Sequence, residues 1–456
     1  MNQPARAPNI LVILDDQHRF DWLGSAGAEW VRTPNLDKLA ARGVRFTHCC
    51  TNAPVCVPAR IALSAGVQPH RLGALGNNSY LPHRTTTFYQ RLRDAGYYVG
   101  CAGKLDLAKP DSYNGRHGNR PAAYMWGFTH PIECEGKMHA GNHSSPQGPY
   151  GFWLQEQGLY ERFHKDYRKR AEEGWPTSAW DSVLPAEAFE DAYIGRRSAE
   201  WLRTIPGDFP WHLFVSFVGP HDPYDPPTAY AERYRNAAMP EAIPFSAEGK
   251  PAWFGRRAKP IAPEKILETR RQYAAAIEAI DDAVGEILAV LDARGWTENT
   301  YVIFSSDHGE MLGDHGKYAK SVPYEAALRV PLIAAGPGIS GGRTSDALVE
   351  LIDVNATVCD LAGLPTQADI DARSFAPILR GERTEHREDC LSALENFRLL
   401  RTDRFKLVHN ISDITELYDL EEDPQERRNI AAARPEVVRA LSARMQARIM
   451  EGKWNR

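Results

Sequence analysis

The chain has 456 residues, with 54 Lys and Arg against 59 Asp and Glu and a formal net charge of −5. That length supplies a large core and allows about two to four domains, although large α/β enzymes often run as one domain with an appendage. The slight acidic balance excludes nucleic acid and anionic membrane as electrostatic partners, and no apolar run approaches the roughly 20 residues of a membrane span.

Met1 to Pro8 pass directly into the first apolar segment, leaving no room for a charged region, an apolar region and a cleavage site. The expectation is a cytoplasmic protein. The seven cysteines are odd in number and irregularly spaced, and the adjacent pair Cys49-Cys50 does not read as a disulfide framework, in keeping with a reducing compartment.

Asn9 to Leu14 are apolar almost throughout, the pattern of a central parallel strand, and end in Asp15-Asp16-Gln17. Thr33-Pro34-Asn35 opens a helix through Leu36, Leu39 and Ala40 that stops at Gly43. Residues 44–49 read as a strand. Cys56 follows in a proline-bounded loop, near the N-terminus of a helix-compatible segment, a setting that favours anions. An amphipathic helix from Thr87 to Ala95 leads into a strand at 97–102 that ends at Gly103-Lys104. Between 109 and 185 the text turns to Gly, Pro, His and aromatics, with one charged helical patch at 158–174. It is expected to be an irregular insertion shaping the substrate pocket. A helix at 187–203 precedes the strand 212–218, which delivers His221. The longest helical pattern runs from 264 to 294. Thereafter come the strand Tyr301 to Ser306 ending at Asp307-His308, a loop to Lys320, and a strand at 330–335. Beyond about 366, alternating segments at 398–401, 404–409 and 415–419 and a helix at 434–450 suggest a small α+β unit. The expected architecture is α/β: a large, mostly parallel central sheet flanked by helices over 1–365, and a C-terminal subdomain with antiparallel strands over 366–456.

Two apolar strands that each deliver hard ligands at their C-terminal ends, beside a reactive side chain, form the pattern of a metal-assisted site in an α/β sheet. Asp15, Asp16 and Asp307 would repel one another unless a cation neutralised them. Oxygen ligands favour Ca²⁺, the first choice, or Mg²⁺, and the imidazole of His308 tilts the choice toward Mn²⁺ or another transition metal.

The ordered set Asp15-Asp16, Cys56-Val57-Pro58-Ala59-Arg60, Gly103-Lys104, Pro220-His221-Asp222-Pro223, Asp307-His308-Gly309-Glu310, Lys320 four before Tyr324, and Glu416-Leu417-Tyr418 resembles the type I, formylglycine-dependent sulfatases of the alkaline phosphatase superfamily. The resemblance spans nearly the whole chain. It implies an alkaline phosphatase-like fold and hydrolysis of a sulfuric ester, of a carbohydrate among other alcohols. It further implies that a formylglycine-generating maturation enzyme oxidises Cys56 to Cα-formylglycine, which joins Asp15, Asp16, Asp307 and His308 as a metal ligand. One hydroxyl of the hydrate would attack sulfur; ionisation of the other would expel sulfate, a step unavailable to serine or cysteine. On the same resemblance Arg60 steadies the hydrate, Lys104 and Lys320 meet the sulfate oxygens, and His221 contacts the sulfate or protonates the leaving alcohol.

The chain departs from the pattern in two places. Ala59 stands where serine is commoner. Asp106 stands two residues after Lys104, where many sulfatases have histidine, and would take over as base. A second Gly-Lys-x-His, Gly136 to His139, makes His139 a further substrate-binding candidate. Phosphonate monoester and phosphodiester hydrolases share the Cys-x-Pro-Ala-Arg form and the Asp-His pair and are the alternative activity. A non-catalytic binder of sulfated ligands is the remote one.

Overall fold

Strand β1 (Asn9–Asp16) is buried along its whole length and divides its side chains between two cores. Ile10, Val12 and Leu14 pack with the helices Cys56–Ala65 and Phe88–Asp94 on one face, whereas Leu11 and Ile13 pack with Glu190–Thr204 and Pro263–Ala293 on the other. A strand covered on both faces must be apolar at every position, which is why the sequence shows no alternation. The computed structural model describes residues 7–111, 113–174 and 177–451; residues 1–6, which carry most of the N-terminal expectation, lie outside them.

With β2 (Val44–Cys50), β3 (Tyr98–Lys104), β4 (His130–Cys134), β5 (Trp211–Pro220), β6 (Thr300–Ser306), β7 (Arg329–Ala335) and β8 (Arg343–Glu350), β1 forms an eight-stranded sheet in the order β4-β3-β5-β1-β6-β7-β2-β8. Only β7 runs antiparallel to its neighbours. Strands β9 (Cys390–Leu394), β10 (Phe397–Arg401), β11 (Phe405–Asn410) and β12 (Thr415–Asp419) make an antiparallel meander, against which the helix Pro435–Met450 places Leu441 and Met445.

The segment 109–185 is more ordered than its composition suggests. It contributes β4, parallel to β3 at the sheet edge, and the helices Lys137–Asn142, Pro149–Glu156 and Tyr160–Gly174. Pro131 is tolerated there because an edge strand has one unpaired side, and a five-residue strand is too short to show a period. The expected boundary near residue 365 is not a break in packing either: Phe375, Ile378 and Leu379 belong to the main core. Among the described residues no helix is long and apolar enough to cross a membrane.

The helix Pro34–Arg42 lacks a side-chain cap from Thr33. Its free N–H groups are met instead by Asp281 of the long helix: Asn35 N and Leu36 N donate to the carboxylate at 3.0 and 2.8 Å, and Asn35 Nδ2 donates at 2.9 Å. We expect D281A to destabilise the protein by about 2–3 kcal/mol, read as a lower unfolding midpoint in urea, since it strands two helix-terminal donors. Burial pushes the Asp281 carboxyl up to about 6, so D281N, which keeps an acceptor and loses the charge, should cost much less.

Candidate active site

The C-terminal ends of β1, β3, β5 and β6 converge on the N-terminus of the helix Cys56–Ala65. Sequence placed Cys56 in a loop; it is in fact the first residue of this helix, after the extended Val55. Pro58 falls in the first turn, where its missing N–H would have no intrahelical partner, and Val57 N donates to Asn77 Oδ1 at 3.2 Å. Arg60 lies four residues on, hence on the same face one turn below. The spacing of the motif is therefore a statement of helix geometry.

Cys56 Sγ lies 3.1 Å from His308 Nε2 and 3.8 Å from Asp16 Oδ1. Ligand atoms of Asp16, Cys56, Asp307 and His308 all fall within 4.8 Å of one another, and all four residues are buried. His308 Nδ1 lies 3.0 Å from the Gly309 carbonyl, to which it donates, so Nε2 keeps its lone pair facing the cluster. Two carboxylates, an imidazole lone pair and position 56 fit a divalent cation.

Asp15, expected as a ligand, does not belong to that group of four. The pairing of β1 with β5 shifts between Leu14 and Asp16, a bulge that re-aims the two acids. Asp15 Oδ2 pairs with His18 Nδ1 at 2.6 Å. Burial raises its carboxyl above the usual range. Its Oδ1 is buried with no hydrogen-bond partner among the described residues, and through it Asp15 could still reach an ion.

The cations are arranged around this cluster. Arg60 Nε donates to Asp307 Oδ2 at 2.7 Å, Nη2 to Asp16 Oδ2 at 3.3 Å, and Nη1 to the Lys104 carbonyl and Ser216 Oγ at 2.7 and 2.6 Å. Lys104 Nζ pairs with Asp16 Oδ2 and stands 3.1 Å from Asp106. Burial and Asp16 oppose ionisation of the Cys56 thiol, but Lys104, Lys320 and His308 outweigh them and hold it well below the usual thiol range.

His221 Nδ1 donates to the Asp222 carbonyl at 2.6 Å, leaving Nε2 to accept from Lys320 Nζ at 2.6 Å. Lys320 sits between Ala319 (φ 63°) and Ser321 (φ 68°), two non-glycine residues in the left-handed region, each costing about 1–2 kcal/mol. That loop is tied down by Ala319 N donating to Glu310 Oε1 and by Ser321 N donating to the Pro54 carbonyl at 2.9 Å.

Three supporting residues carried no role in the sequence reading. Gln17 Nε2 donates to Asp222 Oδ1 at 3.1 Å and to Glu310 Oε2, while its Oε1 accepts from Lys320 Nζ. Glu310 anchors the Lys320 loop. Lys137 Nζ donates to the carbonyls of His221 and Pro223 at 3.0 and 2.8 Å. Gln17, beside the Asp pair, and Lys137, in the repeated Gly-Lys-x-His, were visible as motif neighbours; their contacts were not.

Asp106 faces Lys104 and Lys109, at 3.1 and 3.2 Å. These lysines overcome the effect of burial and hold its carboxyl far below the usual range. A carboxylate so stabilised is a weak base, and its place suits it to positioning Lys104. His139 is half-buried on the helix Lys137–Asn142, with its ring 5.7 Å from that of His143. Burial first, then nearby Lys109, lowers its affinity for a proton.

Residues 8–364 match the model of the sulfatase family, and residues 313–453 match that of the N-sulphoglucosamine sulphohydrolase C-terminal region. The chain belongs to the sulfatase family. An arylsulfatase of Clostridium perfringens is 26% identical over 453 residues, covering 93% of this chain and 90% of that protein. A choline-sulfatase of Rhizobium meliloti is 30% identical over 446 residues, covering 93% and 82%. Among solved structures, a phosphonate monoester hydrolase of Agrobacterium radiobacter superposes with a TM-score of 0.82 at 25% identity, over 98% of this chain and 96% of that one. For a sulfatase, the mostly parallel sheet with its small antiparallel appendage is the expected alkaline phosphatase-like fold.

Proposed function

We propose that this sulfatase hydrolyses an organic sulfate ester to the alcohol and sulfate, using formylglycine formed from Cys56 by a maturation enzyme and one divalent cation, Ca²⁺ before Mn²⁺ or Mg²⁺. The observation that carries the reading is the convergence of Cys56 with Asp16, Asp307 and His308 beneath Lys104, Lys320 and His221. Cys56 Sγ stands in for an oxygen of the matured side chain. Together the cation and the hydrated aldehyde would supply Lewis-acid stabilisation, a hydroxyl nucleophile at neutral pH and a second hydroxyl whose ionisation expels sulfate from the first.

The protein groups do the rest. Arg60 neutralises Asp16 and Asp307 from below, so that these carboxylates can lie together in a buried site. Lys104 and Lys320 are positioned to hold charge on the sulfuryl oxygens as the S–O bond breaks. Lys320 also orients His221 at Nε2, the ring atom from which the leaving alcohol would take its proton. Gln17 fixes Lys320 in that position, and Lys137 fixes the backbone that carries His221.

We expect H221A to lower kcat by about 10²–10⁴-fold for an alkyl sulfate, whose alkoxide must be protonated as it leaves. The loss should be far smaller for 4-nitrophenyl sulfate, whose phenolate leaves unaided. Equal losses on both would remove His221 from the acid role.

The likeness to the phosphonate monoester hydrolase favours a second reading, cleavage of a phosphonate monoester at the same site. Side-by-side turnover of 4-nitrophenyl sulfate and 4-nitrophenyl phenylphosphonate decides between them. A higher kcat/KM on the phosphonate would replace the sulfatase reaction as the main activity.

A further inference from the structure

Immediately beside the reacting groups lies a cleft of about 360 Å³, lined by Val55, Asn77, Trp253, Arg257, Ser321 and Glu395 among others. Val55 directly precedes Cys56 and Ser321 directly follows Lys320, so the cleft is lined by the chain neighbours of two residues of the site. Its volume is at the lower end of the roughly 300–1,000 Å³ usual for small-molecule sites. One wall comes from the main domain. The other is the tight turn between β9 and β10 of the small sheet, which brings Glu395 against Gly76.

The chemistry of the walls is uneven. Arg257 and Glu395 are exposed, and among the described residues neither side chain has a hydrogen-bond or ion-pair partner. Lys317 lies close enough to Arg257 to feel its charge. Trp253 is half-buried, its indole edge fixed by Nε1 donating to Asn410 Oδ1 at 3.1 Å. Arg257 offers the substrate hydrogen-bond donors and Glu395 offers acceptors. A bare aryl group would use neither. A neutral ring with hydroxyls that both donate and accept, and with an apolar C–H face, satisfies Arg257, Glu395 and Trp253 together.

We propose that Arg257, Glu395 and Trp253 determine specificity, receiving an uncharged glycosyl ring as the alcohol portion of the ester. The assignment rests on the reading that position 56 attacks a sulfate ester. It gives the C-terminal unit a part in substrate choice through Glu395.

The test uses matured full-length enzyme, a panel of O-sulfated monosaccharides beginning with glucose 6-sulfate, and 4-nitrophenyl sulfate as reference. R257A and E395Q are expected to lower kcat/KM for the best sulfated sugar about tenfold or more, mainly through KM, and to change that for the nitrophenyl ester by about twofold or less. W253A is expected to weaken both. Wild-type enzyme that turns over the nitrophenyl ester but none of the sugars would overturn the glycosyl assignment and leave the sulfatase reaction standing. Equal effects of R257A and E395Q on both substrates, or none on either, would do the same. Wild-type enzyme inactive on every sulfate ester would overturn the reaction itself, and this assignment with it.

Discussion

Replacing Cys56 by alanine is expected to abolish ester hydrolysis, lowering kcat/KM by about 10⁴-fold or more while the protein stays folded. The side chain is small, and its polar contacts are confined to His308 and Asp16 within the site. Its removal therefore takes away the nucleophile without breaking a structural link. C56S sharpens the test. A serine hydroxyl at the same helix position can attack but cannot regenerate an aldehyde, so C56S should show at most one turnover and accumulate a sulfated side chain.

Mass spectrometry of the tryptic peptide Phe46 to Arg60 from protein made in its own host should show loss of H₂S and gain of one oxygen at Cys56. Full alkylation of Cys49, Cys50 and Cys56 in that peptide, in protein that still hydrolyses esters, would overturn the formylglycine reading.

Removing the divalent cation should have the second large effect, on activity and stability together. Asp16 and Asp307 share their oxygens among Arg60, Lys104 and the cluster, and Asp15 Oδ1 is buried with no partner among the described residues. An ion bound only by the folded state stabilises it by mass action, about 2.7 kcal/mol at a hundred times its Kd. Dialysis against EDTA is expected to bring turnover to background and to lower the thermal midpoint by several degrees, and re-addition of Ca²⁺ or Mn²⁺ to restore both. The more effective ion identifies the cofactor. D307N should be inactive, with a midpoint that no longer responds to metal. A chelated enzyme with unchanged midpoint and turnover would mean that Asp16, Asp307 and His308 serve only one another and Arg60.

Much of this could be read in the chain because its causes are local. The runs ending in Asp16 and Ser306 had to be covered strands, since an unbroken apolar segment finds no other stable place. The four-residue step from Cys56 to Arg60 is a helical turn, so the placing of one beneath the other is fixed by residues that follow each other in sequence. Thr87 with Gln90 likewise forms the capping box that starts the next helix. The antiparallel meander could be foreseen from its alternation, apart from β9, which is buried along its whole length and so does not alternate.

Other features depend on partners that only the fold brings together. Whether Asp15 or Asp16 faces the metal turns on a register shift against a strand about two hundred residues away. Gln17 is an ordinary polar residue until Asp222, Glu310 and Lys320 close around it, and Asp106 looked free to act as a base until Lys104 and Lys109 were seen to hold it. Sequence by itself determined the elements and the reactive motif, because hydrophobic period, capping and helical spacing act over a few residues. Tertiary structure alone decided which carboxylates are paired, which residues close around Lys320 and which side chains gather about Cys56, because burial and charge pairing depend on distance in space and not on distance along the chain.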